Sequence, residues 1–317
     1  MYYIGVDLGG TNIAVGIVDE DNNIVVKGKV PTRAQRPAKE VVRDMATLCE
    51  ELVAKAKITF DDIAYCGIAA PGTVDPENGE IKYANNLNMF HYPIAADLMS
   101  FIPVKKVYLE NDANAAALAE AMAGAGKGKK NVIMITLGTG LGGGIVLDGK
   151  LYSGFNYAGA ELGHMAIEHG GKLCTCGRRG CWEAYSSATG LVNMTKEKLA
   201  KCPDSLMMQM LDGDINKANG RVSFNAAKQG DKAAIELLCE YVDYLAYGIT
   251  NLVNIFQPEV LCIGGGICGD GDYFIDDLKA RVDRDQYGTD SHNDKTEIKI
   301  AKLGNDAGII GAAVLGK

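Results

Sequence analysis

Tyr2-Tyr3-Ile4-Gly5-Val6-Asp7-Leu8-Gly9-Gly10-Thr11-Asn12-Ile13-Ala14-Val15-Gly16-Ile17-Val18 opens the chain with an apolar run, a glycine break and a second apolar run. Asp19 to Asn23 then turns, and Ile24 to Val30 resumes the apolar pattern. Short apolar runs bounded by Gly, Asp and Asn read as β-strands, so the spacing predicts three antiparallel strands. The order returns at Asn131 to Tyr152: Val132 to Leu137, a break at Gly138-Thr139-Gly140, Gly144 to Leu147, the turn Asp148-Gly149 and another short strand. A chain that repeats its opening pattern in this way reads as two related halves.

A second echo supports the duplication. Val107 to Leu109 feeds Asn111-Asp112-Ala113-Asn114-Ala115-Ala116 and a helical stretch to about Ala123. Ile298 to Leu303 feeds Asn305-Asp306-Ala307-Gly308-Ile309-Ile310. Each reads as a strand leading into a helix whose N-terminus carries an Asp. Between them Ile235, Leu238, Val242, Leu245, Ile249 and Leu252 recur at steps of three and four, a long amphipathic helix ended before Pro258. Val260 to Ile263 is then a buried strand feeding Gly264-Gly265-Gly266. With no low-complexity linker between the halves, pattern alone places one domain at 1–118, completed by a returning helix at 304–317, and the other at 119–303.

Composition narrows the classes. A chain of 317 residues that is 47% hydrophobic can bury a sizeable core, and its length favours two domains. A formal charge of −8 excludes a broad basic footprint for nucleic acid, leaving small molecules or other subunits as partners. The N-terminus has no basic segment, and Asp7 interrupts the first apolar run before a signal sequence could form. No later run approaches the ~18 apolar residues that a membrane span needs. The expected location is the cytoplasm. Nine cysteines, scattered except for Cys174, Cys176 and Cys181, suit reduced thiols plus one cluster rather than a disulfide framework.

Four motifs carry chemistry. In Asp7-Leu8-Gly9-Gly10-Thr11, glycines let backbone N–H groups approach an anion and the Thr hydroxyl adds a donor. The second glycine-rich break, Gly138-Thr139-Gly140, is its counterpart, and two such loops suit a polyphosphate. Neither is a Walker A loop, because no Gly-Lys-Ser/Thr follows the glycines. Asp112 reads either as the cap of the helix it opens or as a general base that removes a hydroxyl proton during phosphoryl transfer. Asn111 could orient neighbouring hydroxyls, and Asp7 could hold Mg²⁺ through water. In Cys174-Thr-Cys-Gly-Arg-Arg-Gly-Cys181, three thiolates with His164 satisfy a tetrahedral zinc site with no open position, the structural arrangement. Spacing alone does not decide between His164 and His169. Glu161 and Glu183 flank this cluster and become acceptors for sugar hydroxyls if the metal fixes their backbone.

Together these segments resemble the ROK (repressor, ORF, kinase) family of sugar kinases, most closely its glucokinases, over essentially the whole chain. The phosphate motif is Asp7 to Asn12, the catalytic segment Glu110 to Ala115, the second phosphate loop Gly138 to Gly140, the sugar motif Glu161 to His164 and the zinc motif Cys174 to Cys181. One departure is Asn12, where many relatives carry Lys. The resemblance implies an α/β, actin-like ATPase (ribonuclease H-like) duplicated two-domain fold with nucleotide and sugar in the interdomain cleft. It implies ATP-dependent phosphorylation of a hexose at the 6-hydroxyl, glucose first, with N-acetylmannosamine, fructose, mannose and allose as alternatives. Asp112 is then the catalytic base, and Asn111, Asp112, Glu161, His164 and Glu183 hold the sugar. Asp7, Gly9, Gly10, Thr11, Asn12, Gly138, Thr139, Gly140, Gly264, Gly265 and Gly266 serve ATP. Mg²⁺ accompanies the nucleotide, and structural Zn²⁺ sits on His164, Cys174, Cys176 and Cys181. The family's repressors carry a helix-turn-helix extension, for which a first strand at Tyr2 leaves no room. A homodimer or larger homo-oligomer is expected.

Overall fold

The computed structural model describes residues 1–288 and 294–317. Strands β1 (Tyr2–Leu8), β2 (Asn12–Val18) and β3 (Ile24–Pro31) form the predicted meander, followed by helix α1 (Ala38–Lys55) and β4 (Ile63–Ala70). A small antiparallel sheet of β5 (Thr73–Asp75), β6 (Glu80–Ala84) and β7 (Met89–Tyr92) precedes α2 (Ile94–Phe101), β8 (Val107–Asn111) and α3 (Asp112–Met122). The second round runs through β9 (Val132–Leu137), β10 (Leu141–Leu147) and β11 (Lys150–Leu151). Helices α4 (Glu183–Ser186), α5 (Ala188–Lys201), α6 (Leu206–Met210), α7 (Val222–Lys228) and α8 (Lys232–Phe256) follow. The chain ends with β12 (Val260–Gly264), α9 (Gly271–Asp285), β13 (Glu297–Ile300) and α10 (Ala307–Val314).

The first large sheet has the order β3-β2-β1-β4-β8, antiparallel through β3-β2-β1 and parallel through β1-β4-β8. The second has the order β11-β10-β9-β12-β13, with β10-β11 antiparallel and β12-β13 parallel. Numbered within its own round, each sheet is therefore third-second-first-fourth-fifth, the ribonuclease H-like order occurring twice. That is the actin-like ATPase architecture of the α/β class.

The chain divides into two compact units: Met1–Met134 with Gly144–Ala160 and Ala301–Lys317, and Ile135–Gly143 with Glu161–Ile300. The boundary drawn at 118 falls short, because the whole of α3 stays in the first unit. The reason is close packing. Gly311 of α10 lies so near α3 that a Cβ there would come within 2.0 Å of the Ala115 carbonyl oxygen. On its other side α10 rests on a track of glycines. Gly5 pairs with Gly16 on β2 and with Gly67 on β4. A Cβ on Gly5 would stand 2.0 Å from the Ile309 carbonyl oxygen, and one on Gly67 would stand 1.8 Å from that of Ala312. Only a sheet bare of side chains along this line admits the helix backbone. Val41, Val42, Met45, Cys49 and Leu52 of α1 join the core formed by Ile4, Val6, Ile13, Val15 and Ile17.

In the second unit α8 is the axis. Leu238, Val242, Leu245, Ile249 and Leu252 are buried as their spacing predicts, whereas Ile235, in the first turn, is 42% exposed. The helix stops at Gln257, whose φ of 43° reverses the chain just before Pro258. Trp182, fully buried, lies against Gly248 and donates its indole N–H to the Tyr244 carbonyl at 3.0 Å. This anchors the segment that follows the cysteine cluster onto α8.

Candidate active site

In the first unit the turn after β1 is closed by Gly9 N–H donating to Asn12 C=O at 2.9 Å. Thr32, fully buried at the end of β3, braces it by donating its hydroxyl to the Gly9 carbonyl at 2.6 Å and its N–H to that of Thr11. Thr32 is missed by motif reading, because it lies outside the glycine turn in sequence and reaches it only through strand pairing. Gly10 faces Asn86, whose Cβ would be 3.3 Å from any Cβ at position 10. The turn thus leaves Thr11 and Asn12 exposed on a fixed backbone.

The start of α3 decides how Asp112 is to be read. Asn111, not Asp112, is the N-cap: its Oδ1 accepts from Ala113 N–H at 2.9 Å and Asn114 N–H at 3.3 Å. Its Nδ2 donates to the Gly72 carbonyl at 3.0 Å. Asn111 is therefore held rigidly, while Asp112 stands at the first helical position with one oxygen on Ala113 N–H. The capping alternative for Asp112 is overturned: the polar side chain before it already satisfies those donors. Burial holds the Asp112 carboxyl above the ordinary carboxylate range. Burial, and then the facing Asp112 carboxylate, push Asp7 up to about 6. Gly308 makes room for Asp7, since a Cβ there would come within 2.5 Å of its carboxyl carbon.

These like charges carry a stability consequence. Native Asp7 binds its proton more tightly than the unfolded chain does, so its contribution is most favourable below the unfolded value of 3.8 and is lost as pH rises through about 6. Above that it costs on the order of 2–3 kcal/mol. Asp7→Asn is expected to raise the urea midpoint of the metal-free protein at pH 7.5 and to leave it unchanged near pH 4. Equal midpoints at pH 7.5 would show that the burial of Asp7 is not costly.

In the second unit Gly138 N–H donates to Gly140 C=O at 3.0 Å, folding the second glycine loop back on itself. Ala188 N–H donates to the Gly138 carbonyl and the Thr189 hydroxyl to that of Thr139, seating the loop on the start of α5. Gly265 has a φ of 98° and its Cβ position would collide with the Leu137 backbone. Only glycine lets the turn after β12 approach the strand that leads into Gly138. Glu183 accepts from Leu141 N–H at 3.0 Å through one oxygen and from the Thr175 hydroxyl at 3.1 Å through the other. A cavity of about 660 Å³ beside them is lined by Thr139, Gly140, Thr175, Glu183, Thr189 and Lys196, among others.

His164, Cys174, Cys176 and Cys181 converge, with one donor atom from each lying within 4.8 Å of all the others. Cys174 Sγ is 3.7 Å from His164 Nδ1, and Cys176 Sγ is 3.7 Å from Cys181 Sγ. His164, not His169, is the imidazole brought to the thiols. Glycines supply the turns: Gly177 at φ 86° and Gly180 at φ 85°. None of the nine cysteines forms a disulfide. Glu161 opens the short turn that carries His164, with its carbonyl accepting the His164 N–H. Among the described residues no helix is long and apolar enough to cross a membrane.

A sequence model of the ROK family matches residues 3–317. The glucokinase of Thermotoga maritima is 39% identical over 98% of this chain and 95% of its own length. That of Streptomyces coelicolor is 36% identical over 99% of this chain and 97% of its own. The crystal structure of a ROK family glucokinase from Streptomyces griseus in complex with glucose and AMPPNP superposes with a TM-score of 0.79. It is 34% identical and covers 99% of each chain.

Proposed function

The chain belongs to the ROK family, and from that premise we propose that it is a glucokinase, transferring the γ-phosphoryl group of ATP to the 6-hydroxyl of glucose. The observation that carries this reading is the start of α3, where Asn111 takes over capping and leaves Asp112, its carboxyl held above the ordinary range, accessible to act as base. A sugar hydroxyl is a poor nucleophile until its proton is being removed, and a carboxylate of raised basicity is suited to that step. Asn111 and Asp112 meet the acceptor hydroxyl, while Glu161, His164 and Glu183 bind the sugar's other hydroxyls. Gly9, Gly10, Thr11 and Asn12, with Gly138, Thr139 and Gly140, offer backbone and hydroxyl donors to the phosphates. Gly264, Gly265 and Gly266 lie against the adenosine. Asp7 would hold Mg²⁺, which would supply charge neutralisation for the transferring phosphoryl group.

Zinc suits the cysteine cluster. A tetrahedral site with Zn–S near 2.3 Å and Zn–N near 2.0 Å has edges of about 3.8 Å between sulfurs and about 3.6 Å between sulfur and nitrogen. The two spacings of 3.7 Å match those edges, and every donor lies within 4.8 Å of the others. With Nδ1 on the metal, the other nitrogen of His164 remains to meet a sugar hydroxyl. The acidic chain, its reduced thiols and its use of ATP and a phosphorylated sugar fit a role in the cytoplasm, in carbohydrate metabolism and glycolysis. A homo-oligomer is part of the same proposal.

Glucose specificity follows from rigidity. Glu183 is fixed by Leu141 and Thr175, and His164 by the cluster, so neither follows a sugar whose second carbon is changed. Each buried polar group left unpaired costs roughly 1–3 kcal/mol. Mannose and N-acetylmannosamine are thus expected to be poorer substrates by about 10-fold or more in kcat/KM. Glucose and N-acetylmannosamine are to be supplied together at equal concentration with ATP and the phosphorylated product identified. Predominance of N-acetylmannosamine 6-phosphate would overturn the glucose assignment and leave a sugar kinase; no sugar phosphate from any hexose would overturn both.

A further inference from the structure

Glu110, the residue before Asn111, has a carboxylate with no obvious reason to be buried. It is 7% exposed, and among the described residues no Lys or Arg pairs with it. A buried carboxylate without a cation is costly unless its oxygens are fully hydrogen-bonded. They are. Oε1 accepts from the Asn111 N–H at 2.9 Å and from Asn114 Nδ2 at 3.0 Å, and Oε2 from the Ser153 hydroxyl at 3.4 Å. Asn114, 3% exposed, gives its amide group to Glu110 and leaves its own Oδ1 without a partner. The polar side chains behind the turn are thus organised around Glu110.

We propose that Glu110 is a positioning residue for the reaction, holding the Asn111–Asp112 turn in its reactive orientation and tying it to the segment that begins at Ser153. The turn is pinned at three points: Glu110 on the Asn111 N–H, Gly72 on the Asn111 amide, and the Asn111 oxygen on the first turn of α3. Of these, only the first comes from a side chain outside Asn111 itself. Glu110 acts through hydrogen bonds rather than charge, because burial, not Glu110, accounts for the raised basicity of Asp112. A glutamine can reproduce all three contacts, with its oxygen toward Asn111 and Asn114 and its amide toward the Ser153 oxygen. Alanine makes none, and aspartate keeps the charge but is one methylene too short.

The inference rests on the kinase reading, so it is tested by one readout that depends on that reading and one that does not. With glucose and ATP, Glu110→Ala and Glu110→Asp are expected to lower kcat per folded molecule by about 10-fold or more, in line with the cost of sub-ångström misplacement. The KM for ATP should stay within about 2-fold, and Glu110→Gln should retain at least about half of wild-type kcat. In the absence of substrates, amide hydrogen exchange at Ala113 and Asn114, the two N–H groups on the Asn111 oxygen, should accelerate in Glu110→Asp and not in Glu110→Gln. If Glu110→Ala does not fold, the Asp and Gln variants carry the comparison. Wild-type kcat in Glu110→Asp, or an equal loss in Asp and Gln, would overturn the positioning role. An inactive wild-type enzyme with the expected exchange pattern would overturn the kinase reading alone.

Discussion

Asp112→Asn lowers kcat by about 10²-fold or more while leaving the fold intact and glucose binding little changed, the expected result of removing a general base. The substitution is clean because Asn111 provides the cap. Asparagine at 112 can still accept from Ala113 N–H, so no helix-start donor loses its partner. The pH profile supplies a second reading. Asp112 must be deprotonated to act, and burial raises its pKa. The wild-type kcat/KM therefore falls as pH drops, with its acidic limb above the ordinary carboxylate range, and that limb disappears in the variant's residual activity. A variant with near-normal kcat would reduce Asp112 to a bystander of the Asn111 cap.

Cys176→Ala, the second large effect, is expected to abolish stoichiometric zinc and to destabilise the second unit. Metal binding to a site that the unfolded chain lacks is folding free energy, and loss of one of four ligands forfeits several kcal/mol of it. At roughly 2–4 °C per kcal/mol for a chain of this size, that corresponds to a fall in Tm of about 10 °C. Wild-type protein should carry about one zinc per chain by elemental analysis. Weaker glucose binding should accompany metal loss, since His164 is held in the cluster and Glu183 accepts from Thr175 between two of the cysteines. Metal-free protein that is fully stable and binds glucose normally would remove zinc from the assignment.

The repeated strand pattern made the fold legible, because glycine turns at Gly9 and Gly138 punctuate short apolar runs in the same order in each sheet. The α8 stripe was legible for the same reason, apart from Ile235, which is exposed in its first turn. The small sheet β5-β6-β7 was not, since strands of three to five residues carry too little periodicity. The cysteine cluster could be read because its four donor residues fall within eighteen positions, 164 to 181. The choice of His164 over His169 could not, because it depends on which imidazole the turn at Glu161 aims at the thiols. Motif reading found Asn111 and Asp112 but could not tell which of the two neighbours caps α3. Thr32 escaped it altogether, and Glu110 and Gly308 were read only as members of their motifs, because their contacts with Asn114, Ser153 and Asp7 exist only in the folded chain.

The glycine track beneath α10 bears on how the chain comes off the ribosome. The first unit's central sheet is translated early, yet the helix that covers Gly16, Gly5 and Gly67 spans residues 307–314. Until that stretch emerges, the line of Gly16, Gly5 and Gly67 across the sheet is uncovered backbone. The second large sheet is synthesised meanwhile, and its last strand, β13, ends at Ile300, ahead of α10. The first unit then finishes by one long-range docking event of the kind that slows folding. A nascent chain stalled late would present Asp7 and Asp112 on an unfinished scaffold, so enzymatic competence arrives only with the final turn of helix.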